Sequence, residues 1–460
     1  MMDLQAVNEA TPALLAQGIR VMHANLFAET EEAHVAYLLE LMNPKHGAVV
    51  LDAGCGVGEV ARIMKDKRPD LSFVLLNISR VQLDDCPEGM ERIEGDFMAV
   101  PLAVESVDVV MFHYAICHAG DIDKALREAR RVLRPDGELF INDMSRDGGD
   151  NDLMVKLLGA AAHQPGDLVD AALRAGFVFE EGHFHTPVVQ RLREVFDSQE
   201  LYDQVFQGVE PATWRFSRPD LGPIASAFAR HERIGFQFSG GRDSTAALYL
   251  LRPYWDRMVV YHLDTGDQFP ETREVVRRVE ADMGRPVTVI EGDVAAVRRD
   301  FGLASDLVPV DNTPVGRMVS GREVKLIGRY ECCARALMSP LQQRIQADGI
   351  TLIVRGQRDE EYSNQPMRSG DVQDGMEVLY PIQSWTGDEV SAYLTKNGHP
   401  IAPFYERGAR RAPECMGCTA WWDEGRAVYL RDHHPEAFER YSANMKTIRI
   451  EIDRQYATLD

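Results

Sequence analysis

The stretch from residue 234 to residue 250 constrains the fold of this chain more than any other. Residues 234–238 are a short apolar run of β-type residues, glycines follow at 240 and 241, and a helical apolar pattern starts at Thr245. We predict a strand, a tight turn and a helix N-terminus, because glycine lets the backbone turn sharply and approach a ligand closely. The first amides of a helix lack intrahelical partners and lie at the positive end of its dipole. A phosphate, pyrophosphate or sulfate group is the natural ligand of such a turn.

The side chains of this turn add to its capacity for anions. Three hydroxyls and one guanidinium accompany the glycines, whereas a helix cap alone requires a single Asp or Ser. A plain capped turn between strand and helix is the alternative interpretation. The candidate binding residues are Ser239, Gly240, Gly241, Arg242, Asp243, Ser244 and Thr245.

Two motifs in order give the second half of the chain a family resemblance. Residues 239–244, S-G-G-R-D-S, resemble the SGG-x-DS pyrophosphate loop of the ATP pyrophosphatase (PP-loop) superfamily. Residues 263–272, L-D-T-G-D-Q-F-P-E-T, resemble the LDTG-x-x-FPET segment of sulfonucleotide reductases, the phosphoadenylyl sulfate and adenylyl sulfate reductases. The resemblance implies that ATP or a sulfonucleotide binds here, with Asp264 and Thr265 at the nucleotide. A capped strand end is the alternative for these two residues.

A second glycine-rich turn lies in the N-terminal third. An apolar strand over residues 48–51 precedes D-A-G-C-G-V-G-E at 52–59, and further strands alternate with helices up to residue 142. Such alternation predicts a doubly wound parallel sheet. The motif order resembles that of class I S-adenosylmethionine-dependent methyltransferases. We therefore expect an α/β chain with two doubly wound parallel-sheet domains, a Rossmann-like methyltransferase domain and then a PP-loop domain like the adenine nucleotide alpha-hydrolases.

The methyltransferase resemblance implies a set of contacts to S-adenosylmethionine. The glycine turn would approach the methionine part of the cofactor, and residues 95–97 would contact the adenine. Asn77 stands where the family usually has an Asp or Glu that binds the ribose hydroxyls, and an amide can hydrogen-bond a diol only without charge assistance. The residues that match the family pattern are Asp52, Gly54, Gly56, Gly58, Asn77, Asp96 and Phe97.

The methyl acceptor is expected after the fourth strand, at the carboxyl edge of the sheet. His113 and His118 lie there, and either imidazole is a candidate general base. A hydrogen-bonded structural histidine is the alternative for each. Residues 77–83, N-I-S-R-V-Q-L, resemble the branch of the family that methylates small molecules rather than DNA.

Four of the seven cysteines are grouped in the second half of the chain. Cys332 and Cys333 are adjacent, and Cys415 and Cys418 form a C-x-x-C motif. Four thiolates are the usual ligands of a [4Fe–4S] cluster, and zinc also accepts four, although structural zinc ligands normally lie two to four residues apart. The pattern resembles that of the iron–sulfur adenylyl sulfate reductases, which implies a cluster. The scattered thiols, expected to be packing residues, are Cys55, Cys86 and Cys117.

Basic residues near these motifs are candidates for contact with an anionic substrate. Arg358 lies in a segment that resembles the family's G-x-R-x-x-E/Q pattern and is the candidate catalytic residue for the anionic end of the substrate. Lys325, Arg329 and Arg335 flank the cysteine pair and would neutralise phosphate or sulfate, with solvated surface charge as the alternative.

One departure from the family is a missing thiol. Sulfonucleotide reductases attack sulfate with a cysteine in an E-C-G-x-H tail, and no cysteine follows Cys418 in this sequence. The nucleophile of that reaction is therefore absent.

Composition limits the partners and the location. A formal net charge of −22 disfavours non-specific nucleic-acid binding, which depends on clustered Lys and Arg, without excluding DNA or tRNA. No apolar run reaches the length of a membrane span, and the N-terminus lacks the regions of a signal peptide, so we expect a cytoplasmic protein with no membrane partner. Domains are predicted over 1–190 and 226–460, with a helical linker over 191–225.

Three hypotheses follow. The first is a bifunctional enzyme that performs sulfur transfer or reduction beside a cluster and methylates a small molecule. The second is a phosphoadenylyl or adenylyl sulfate reductase that uses an external thiol. The third, a nucleotide-binding sensor or scaffold, requires neither the intact turn nor four thiols. Small-molecule substrates and a redox or sulfur-donor protein are the expected partners, and a homo-oligomer stays open.

Overall fold

A computed structural model describes residues 4–17, 20, 25–190, 198–323, 325–361, 366–407, 414–422 and 425–457. The chain divides into two units, Met1–Gly222 and Pro223–Asp460. Within these described ranges, no helix is both long and apolar enough to span a membrane.

The first unit alternates strands and helices, as the sequence predicts. Its described strands are β1 (Asn25–Leu26), β2 (Val49–Ala53), β3 (Ser72–Asn77), β4 (Glu91–Glu94), β5 (Val107–His113), β6 (Leu133–Arg146), β7 (Val178–Phe184), β8 (Val189–Gln190) and β9 (Val209–Ser217). Its described helices are α1 (Leu4–Ala16), α2 (Glu31–Met42), α3 (Glu59–Lys67), α4 (Arg80–Asp84), α5 (Ile122–Val132), α6 (Asp152–Leu158), α7 (Pro165–Arg174) and α8 (Gln199–Val205).

The main sheet of this unit has the strand order β4-β3-β2-β5-β6-β9-β7. The five strands from β4 to β6 are parallel, and β9 and β7 close the sheet antiparallel. Neighbouring residues in each strand belong to different cores: Leu51 and Val110 pack on one face, Val50 and Val109 on the other. The parallel strands are therefore buried on both faces by helices, which explains their nearly continuous apolar sequence.

The predicted helical linker over 191–225 is wrong in part. Residues 191–197 lie outside the described residues, and α8 is helical, but residues 209–217 form strand β9 between β6 and β7. Pro211 and Pro219 suggest a boundary in the sequence, yet Pro211 pairs with Met144 near the start of the strand. The boundary between the units instead lies after Gly222.

The second unit is built on a six-stranded sheet of order β12-β11-β10-β15-β17-β16, in which only β16 is antiparallel. Strands β13 and β14 form a separate parallel pair. The described strands are β10 (Ile234–Gln237), β11 (Met258–Asp264), β12 (Thr288–Glu291), β13 (Leu303–Ser305), β14 (Leu326–Gly328), β15 (Leu352–Val354), β16 (Val372–Gln373) and β17 (Met376–Leu379). The described helices are α9 (Gly222–Arg230), α10 (Arg242–Leu250), α11 (Pro270–Met283), α12 (Val294–Phe301), α13 (Pro314–Ser320), α14 (Arg329–Cys333), α15 (Ser339–Ala347), α16 (Gly387–Lys396), α17 (Arg426–His433) and α18 (Pro435–Tyr456).

Each glycine turn follows the strand beside which the strand order reverses, β2 in the first unit and β10 in the second. Ligands of open α/β sheets bind at this point, outside the carboxyl ends of the strands. The predicted fold class, two α/β domains with mostly parallel sheets, is confirmed.

Candidate functional sites

The first glycine turn connects β2 to α3 and requires its glycines. Gly54, Gly56 and Gly58 have φ values of +90°, +57° and +71°, in the left-handed region that glycine adopts readily. A Cβ atom on Gly54 would lie 2.7 Å from the Cβ of Ala115, and one on Gly58 would lie 2.9 Å from Pro87 Cδ. The turn therefore brings bare backbone to the edge of the sheet, as the sequence predicts.

Asp52 lies beneath this turn and is 2% exposed. Burial raises the pKa of its carboxyl from 3.8 to about 7, because the charged form loses its hydration. A cationic ligand group beside Asp52 would favour the ionised form.

Asn77 ends β3 but its side chain is already engaged. Its amide nitrogen donates to Gly56 O at 3.0 Å and to Gln82 Oε1 at 2.9 Å, and its Oδ1 accepts from Ser79 N at 3.1 Å. Both amide hydrogens are used within the protein. The predicted contact with a ribose diol could therefore use only the remaining lone pair of Asn77 Oδ1. The amide fixes the glycine turn to β3.

Helix α1 packs on the same corner, a contact that sequence reasoning missed. Ser79 Oγ donates to Asn8 Oδ1 at 2.5 Å, and Gln82 Nε2 donates to Thr11 Oγ1 at 3.4 Å. Only the helical periodicity of α1 is visible in the sequence, and nothing in that periodicity identifies its partner.

The predicted adenine segment lies beside the turn. The Phe97 ring contacts that of Phe112 edge-on at 5.5 Å, and its Cε1 is 3.8 Å from the Cβ position of Gly54. Asp96 Oδ1 accepts from Met98 N at 2.7 Å, so this carboxylate stabilises its own loop.

Both candidate bases at the end of β5 are hydrogen-bonded. His113 Nδ1 lies 2.8 Å from Asn142 Nδ2, and His118 Nδ1 lies 2.9 Å from Gly159 O. These hydrogen bonds support the structural alternative for each histidine. Between them, Tyr114 has a φ of +48°, a strained conformation for a bulky residue that recurs at functional sites. The buried Asp143 carboxylate accepts from Cys117 N at 3.0 Å and was not predicted.

The second glycine turn caps two of its own amides with hydroxyl oxygens. Gly241 N donates to Ser239 Oγ at 3.2 Å, and Arg242 N donates to Tyr405 OH at 3.0 Å. A phosphate oxygen is a stronger acceptor than either hydroxyl because it is charged. The Ser244 and Thr245 hydroxyls bond to Gly241 O and close the first helical turn. The turn thus has the predicted form, with Tyr405 as an unpredicted member.

Position 240 requires glycine, as position 54 does. Its φ is +79°, and a Cβ atom would lie 2.7 Å from Thr272 Cγ2 of the second motif. The Arg242 guanidinium lies 5.2 Å from the centre of the Tyr405 ring and contacts Ser391 Oγ at 3.4 Å. Its charge is directed at α16 rather than at the glycines.

Arg358 lies at this turn, but it contacts a side chain of the turn and is itself buried. Its Nε donates to Asp243 Oδ1 at 2.7 Å and its Nη1 to Glu360 Oε2 at 2.5 Å. Its side chain is 5% exposed. Arg358 therefore orients Asp243, and the predicted contact with a substrate anion would require exchange of one of these carboxylates.

The four grouped cysteines come together. Cys332, Cys333, Cys415 and Cys418 line one cavity, together with the guanidinium-bearing Arg298 and Arg329. Burial raises the pKa of Cys332, Cys333 and Cys415, that of Cys333 to about 12.

The cysteine pair sits where α14 passes into a π-helical turn over Ala334–Met338. Such turns are rare and often mark functional sites. Adjacent residues on an α-helix point about 100° apart, yet both thiols line the same cavity.

The second nucleotide motif contacts the cysteines. Thr265, 2% exposed, lies beside the Cys415 thiol, whose burial-raised pKa its hydroxyl partly lowers, and accepts from Asp267 N at 3.1 Å. Asp264 Oδ1 accepts from Gly266 N at 2.9 Å. Thr265 therefore faces the cysteines, whereas its predicted role is at the nucleotide.

Of the three predicted basic residues, Arg329 lines the cavity. Arg335 pairs with Glu331 and lies over the Phe301 ring, and the Lys325 amide donates to Asn312. The second arginine of the cavity is Arg298, which was not predicted. Its position 34 residues before Cys332 gives no signal in the sequence.

Both units match known families. Residues 51–141 match the family model described as a methyltransferase domain, and residues 233–421 match the model described as a phosphoadenosine phosphosulfate reductase domain. Each unit therefore contains a segment that matches one of these two families. The first match supports S-adenosylmethionine as a cofactor, and the second suggests a bound nucleotide.

The curated relatives described here are methyltransferases. The chain is 34% identical over 136 residues to the sterol 24-C-methyltransferase of Aspergillus fumigatus, an alignment that covers 27% of this chain and 36% of that protein. It is 33% identical over 157 residues to the dimethylglycine N-methyltransferase of Parasynechococcus marenigrum, covering 30% of this chain and 55% of the relative. The chain thus spans about a third to just over half the length of the curated relatives it matches. Among solved structures, the geranyl diphosphate C-methyltransferase of Streptomyces coelicolor has a TM-score of 0.39 at 12% identity, covering 45% of this chain and 91% of that one.

Asp52 should make the stability of the methyltransferase domain depend on pH. Its folded pKa is raised above the ordinary 3.8, so it contributes stability below about pH 4 that is lost as the pH rises through about 7. The free energy of unfolding falls by about 4 kcal/mol over this range, since each pH unit by which the folded and unfolded pKa values differ corresponds to about 1.36 kcal/mol. Asp52→Asn is expected to remove this slope, measured by urea-dependent amide exchange of β2 peptides between pH 4 and 8.

Asp108 is the matched control for Asp52. It accepts from Val49 N and pairs with Arg134, which lower the pKa of its carboxyl, so Asp108→Asn should instead lose stability at pH 8. If the stability of Asp52→Asn changed with pH as it does in the unmodified protein, Asp52 would not be the source of that pH dependence.

Arg358→Ala should destabilise the reductase domain by about 2–3 kcal/mol, because it leaves the Asp243 carboxylate without its buried partner. Urea unfolding followed by amide exchange of β10 and α10 peptides measures this loss. Arg335→Ala, which removes an exposed pair with Glu331, should change stability by less than about 0.5 kcal/mol. Equal effects of the two variants would show that Arg358 does not hold the turn.

Proposed function

We propose that this chain is a bifunctional enzyme. The reductase domain would bind ATP or a sulfonucleotide next to a [4Fe–4S] cluster and perform sulfur transfer or reduction. The methyltransferase domain would transfer a methyl group from S-adenosylmethionine to a small molecule. The observation that supports this most strongly is the cavity lined by all four grouped cysteines, one of which lies beside Thr265 of the nucleotide motif.

The order of the thiols in the sequence supports a cluster over a zinc ion. Structural zinc ligands normally lie two to four residues apart, whereas Cys332 and Cys333 are adjacent. Four thiolates are the usual ligands of a [4Fe–4S] cluster, and all four line this cavity.

A bound [4Fe–4S] cluster would supply one-electron chemistry at this position. Cys332, Cys333, Cys415 and Cys418 would hold it. Arg298 and Arg329 would offset the negative charge of four thiolates, which the apolar lining by Val294, Ala304 and Ala336 cannot hydrate.

The second glycine turn would hold the anionic part of the nucleotide. Its α10 amides and the Ser239 and Tyr405 hydroxyls form the donor set, and Arg358 keeps the Asp243 carboxylate in place at the first helical turn. Removal of water and fixed orientation are the contributions that such a turn makes to transfer at a phosphate or sulfate.

In the methyltransferase domain, S-adenosylmethionine would supply the methyl group. The glycine turn would bind it against backbone, and Asp52 beneath the turn would interact with its positive charge. The methyl acceptor would lie at the end of β5, where His113 or His118 would remove a proton from it.

The test is anaerobic reconstitution of the full chain with iron and sulfide, followed by iron analysis, a visible spectrum and turnover assays. We expect about four irons per chain and pyrophosphate release from ATP in the presence of an acceptor. Gly240→Ala should lose nucleotide binding, whereas Gly284→Ala, at a φ of +66° with no atom within 4 Å of the new Cβ, should retain it. If the loaded protein released no pyrophosphate and no sulfite with any candidate acceptor, the proposal for this domain would be contradicted.

A second candidate is a sulfonucleotide reductase whose thiol comes from outside the chain. It is favoured because residues 419–460 contain no cysteine. Release of sulfite from adenylyl sulfate only with excess small-molecule thiol or a redox protein would distinguish it from ATP-dependent transfer.

A further inference from the structure

The C-x-x-C turn is fixed from one side by Asp267. The Asp267 carbonyl accepts from Met416 N at 2.6 Å, and its Oδ2 accepts from Gly417 N at 2.9 Å. The same Oδ2 accepts from Arg298 Nη1 at 2.7 Å, and Arg298 lines the cysteine cavity. One residue thus positions both the turn between two thiols and a cation beside them.

Gly417 shows how closely these groups approach. A Cβ atom at this position would lie 3.0 Å from Asp267 Oδ2 and 3.1 Å from Arg298 Nη1. Any side chain would displace one of the two, so the turn has little freedom to move independently of Asp267.

A second carboxylate fixes the segment that follows the C-x-x-C turn. Asp306 Oδ1 accepts from Trp421 N at 3.0 Å and its Oδ2 from Trp422 N at 3.1 Å. Asp306 also lies 3.4 Å from Arg329, the other arginine of the cavity. Asp306 follows β13, whereas Asp267 lies in the loop between β11 and α11.

The Asp267 carboxylate is also connected to the 239–245 turn. His262 Nδ1 lies 2.9 Å from Phe238 O, at the residue that precedes Ser239, and its Nε2 contacts the Gln268 amide group at 3.0–3.2 Å. Gln268 is 6% exposed and adjoins Asp267. Two buried hydrogen bonds and the peptide link from Gln268 therefore connect the end of β10 with the half-buried Asp267, which holds the C-x-x-C turn.

We propose that Asp267 is a positioning residue that couples nucleotide occupancy of the 239–245 turn to the arrangement of the cysteine cavity. The inference rests on the proposed nucleotide function of that turn. A ligand that shifts the turn or the 264–266 loop would move Asp267, and with it Gly417 and Arg298. The cysteine site would then respond to a bound nucleotide before any chemistry occurs.

The test uses full-length protein without iron, so that it does not depend on turnover. ATP and adenylyl sulfate binding are measured by calorimetry, and alkylation of Cys415 and Cys418 by iodoacetamide is followed by mass spectrometry. In the unmodified protein, bound nucleotide should slow alkylation by about fivefold or more, the usual scale of coupling between sites. Asp267→Ala should still bind nucleotide but lose this effect, and Asp267→Asn, which keeps an acceptor oxygen, should restore part of it.

Asp306→Ala is the matched control, since it removes the other carboxylate from the same segment. It should raise the basal alkylation rate yet keep the nucleotide effect. In iron-loaded protein, a nucleotide-dependent change in the visible or electron paramagnetic resonance spectrum should likewise disappear in Asp267→Ala and persist in Asp306→Ala.

Three outcomes would overturn the inference. Nucleotide binding without any change in alkylation, or an equal loss of the effect in the Asp267 and Asp306 variants, would overturn it alone. Absence of nucleotide binding to the unmodified protein would overturn the proposed function of the turn and this inference with it.

Discussion

Cys415→Ser should reduce the iron bound after anaerobic reconstitution from about four atoms per chain to about one or fewer. Cys415 is 8% exposed and lines the cavity with the other three grouped thiols, so its loss would leave three thiolates for the cluster. Serine is a poor ligand for a soft iron–sulfur centre. Iron and acid-labile sulfide analysis, with the visible absorption of the loaded protein, measures the effect.

Cys117→Ser provides the control for this change. Cys117 is also buried, but it belongs to the methyltransferase domain and contacts Asp143 there. This variant should bind the same iron as the unmodified chain. If Cys415→Ser retained full iron and the same spectrum, the four-cysteine assignment would be wrong, and a binuclear or adventitious centre would have to be considered.

The second large effect is expected from Gly54→Ala, which should abolish measurable S-adenosylmethionine binding. The new Cβ would lie 2.7 Å from the Cβ of Ala115, and the residue would have to keep a φ of +90°. Relief of this contact must move the turn that approaches the cofactor, at a cost of about 2–4 kcal/mol in stability. Calorimetric titration with S-adenosylmethionine and urea unfolding measure the two losses.

Gly47→Ala separates backbone strain from the steric contact. Gly47 has a φ of +72°, but no atom lies within 4 Å of its Cβ position. This variant should lose about 1–2 kcal/mol from the left-handed conformation alone and bind the cofactor normally. Normal cofactor affinity in Gly54→Ala would show that the turn does not contact the ligand.

Local sequence order was sufficient to predict both glycine turns. A strand that ends in glycine and passes into a helix has few alternative structures, and the turns after β2 and β10 occur as predicted. The two α/β sheets follow from the same alternation. The grouping of Cys332 and Cys333 with the C-x-x-C motif was also predictable, although through family resemblance rather than through spacing alone.

The errors and omissions concern contacts between residues far apart in sequence. Strand β9 depends on pairing with β6 and β7, so its segment carries no signal beyond two prolines that suggested a linker. Asp267 meets Gly417 across 150 positions, and Tyr405 meets Arg242 across 163. Such residues become neighbours only when the chain folds, and a single sequence does not indicate which distant residues will be in contact.

Residues with several physical roles were only half predicted. Asn77 and Arg358 lie where the motifs indicate, but their polar atoms are engaged with Gly56 and Asp243 of the turns themselves. Sequence identifies the place of such a side chain, whereas its hydrogen-bond partners depend on how closely the neighbouring backbone packs.

The π-helical turn after Cys333 makes the orientation of the thiol pair depend on chain length. A π turn accommodates one residue more than an α turn, so deletion of a single residue from Ala334–Met338 would convert the segment to continuous α-helix. Relative to α15, the pair would then rotate by about 100°. A frame-preserving loss of one codon would thus turn both sulfurs away from their partners while leaving every ligand in the sequence.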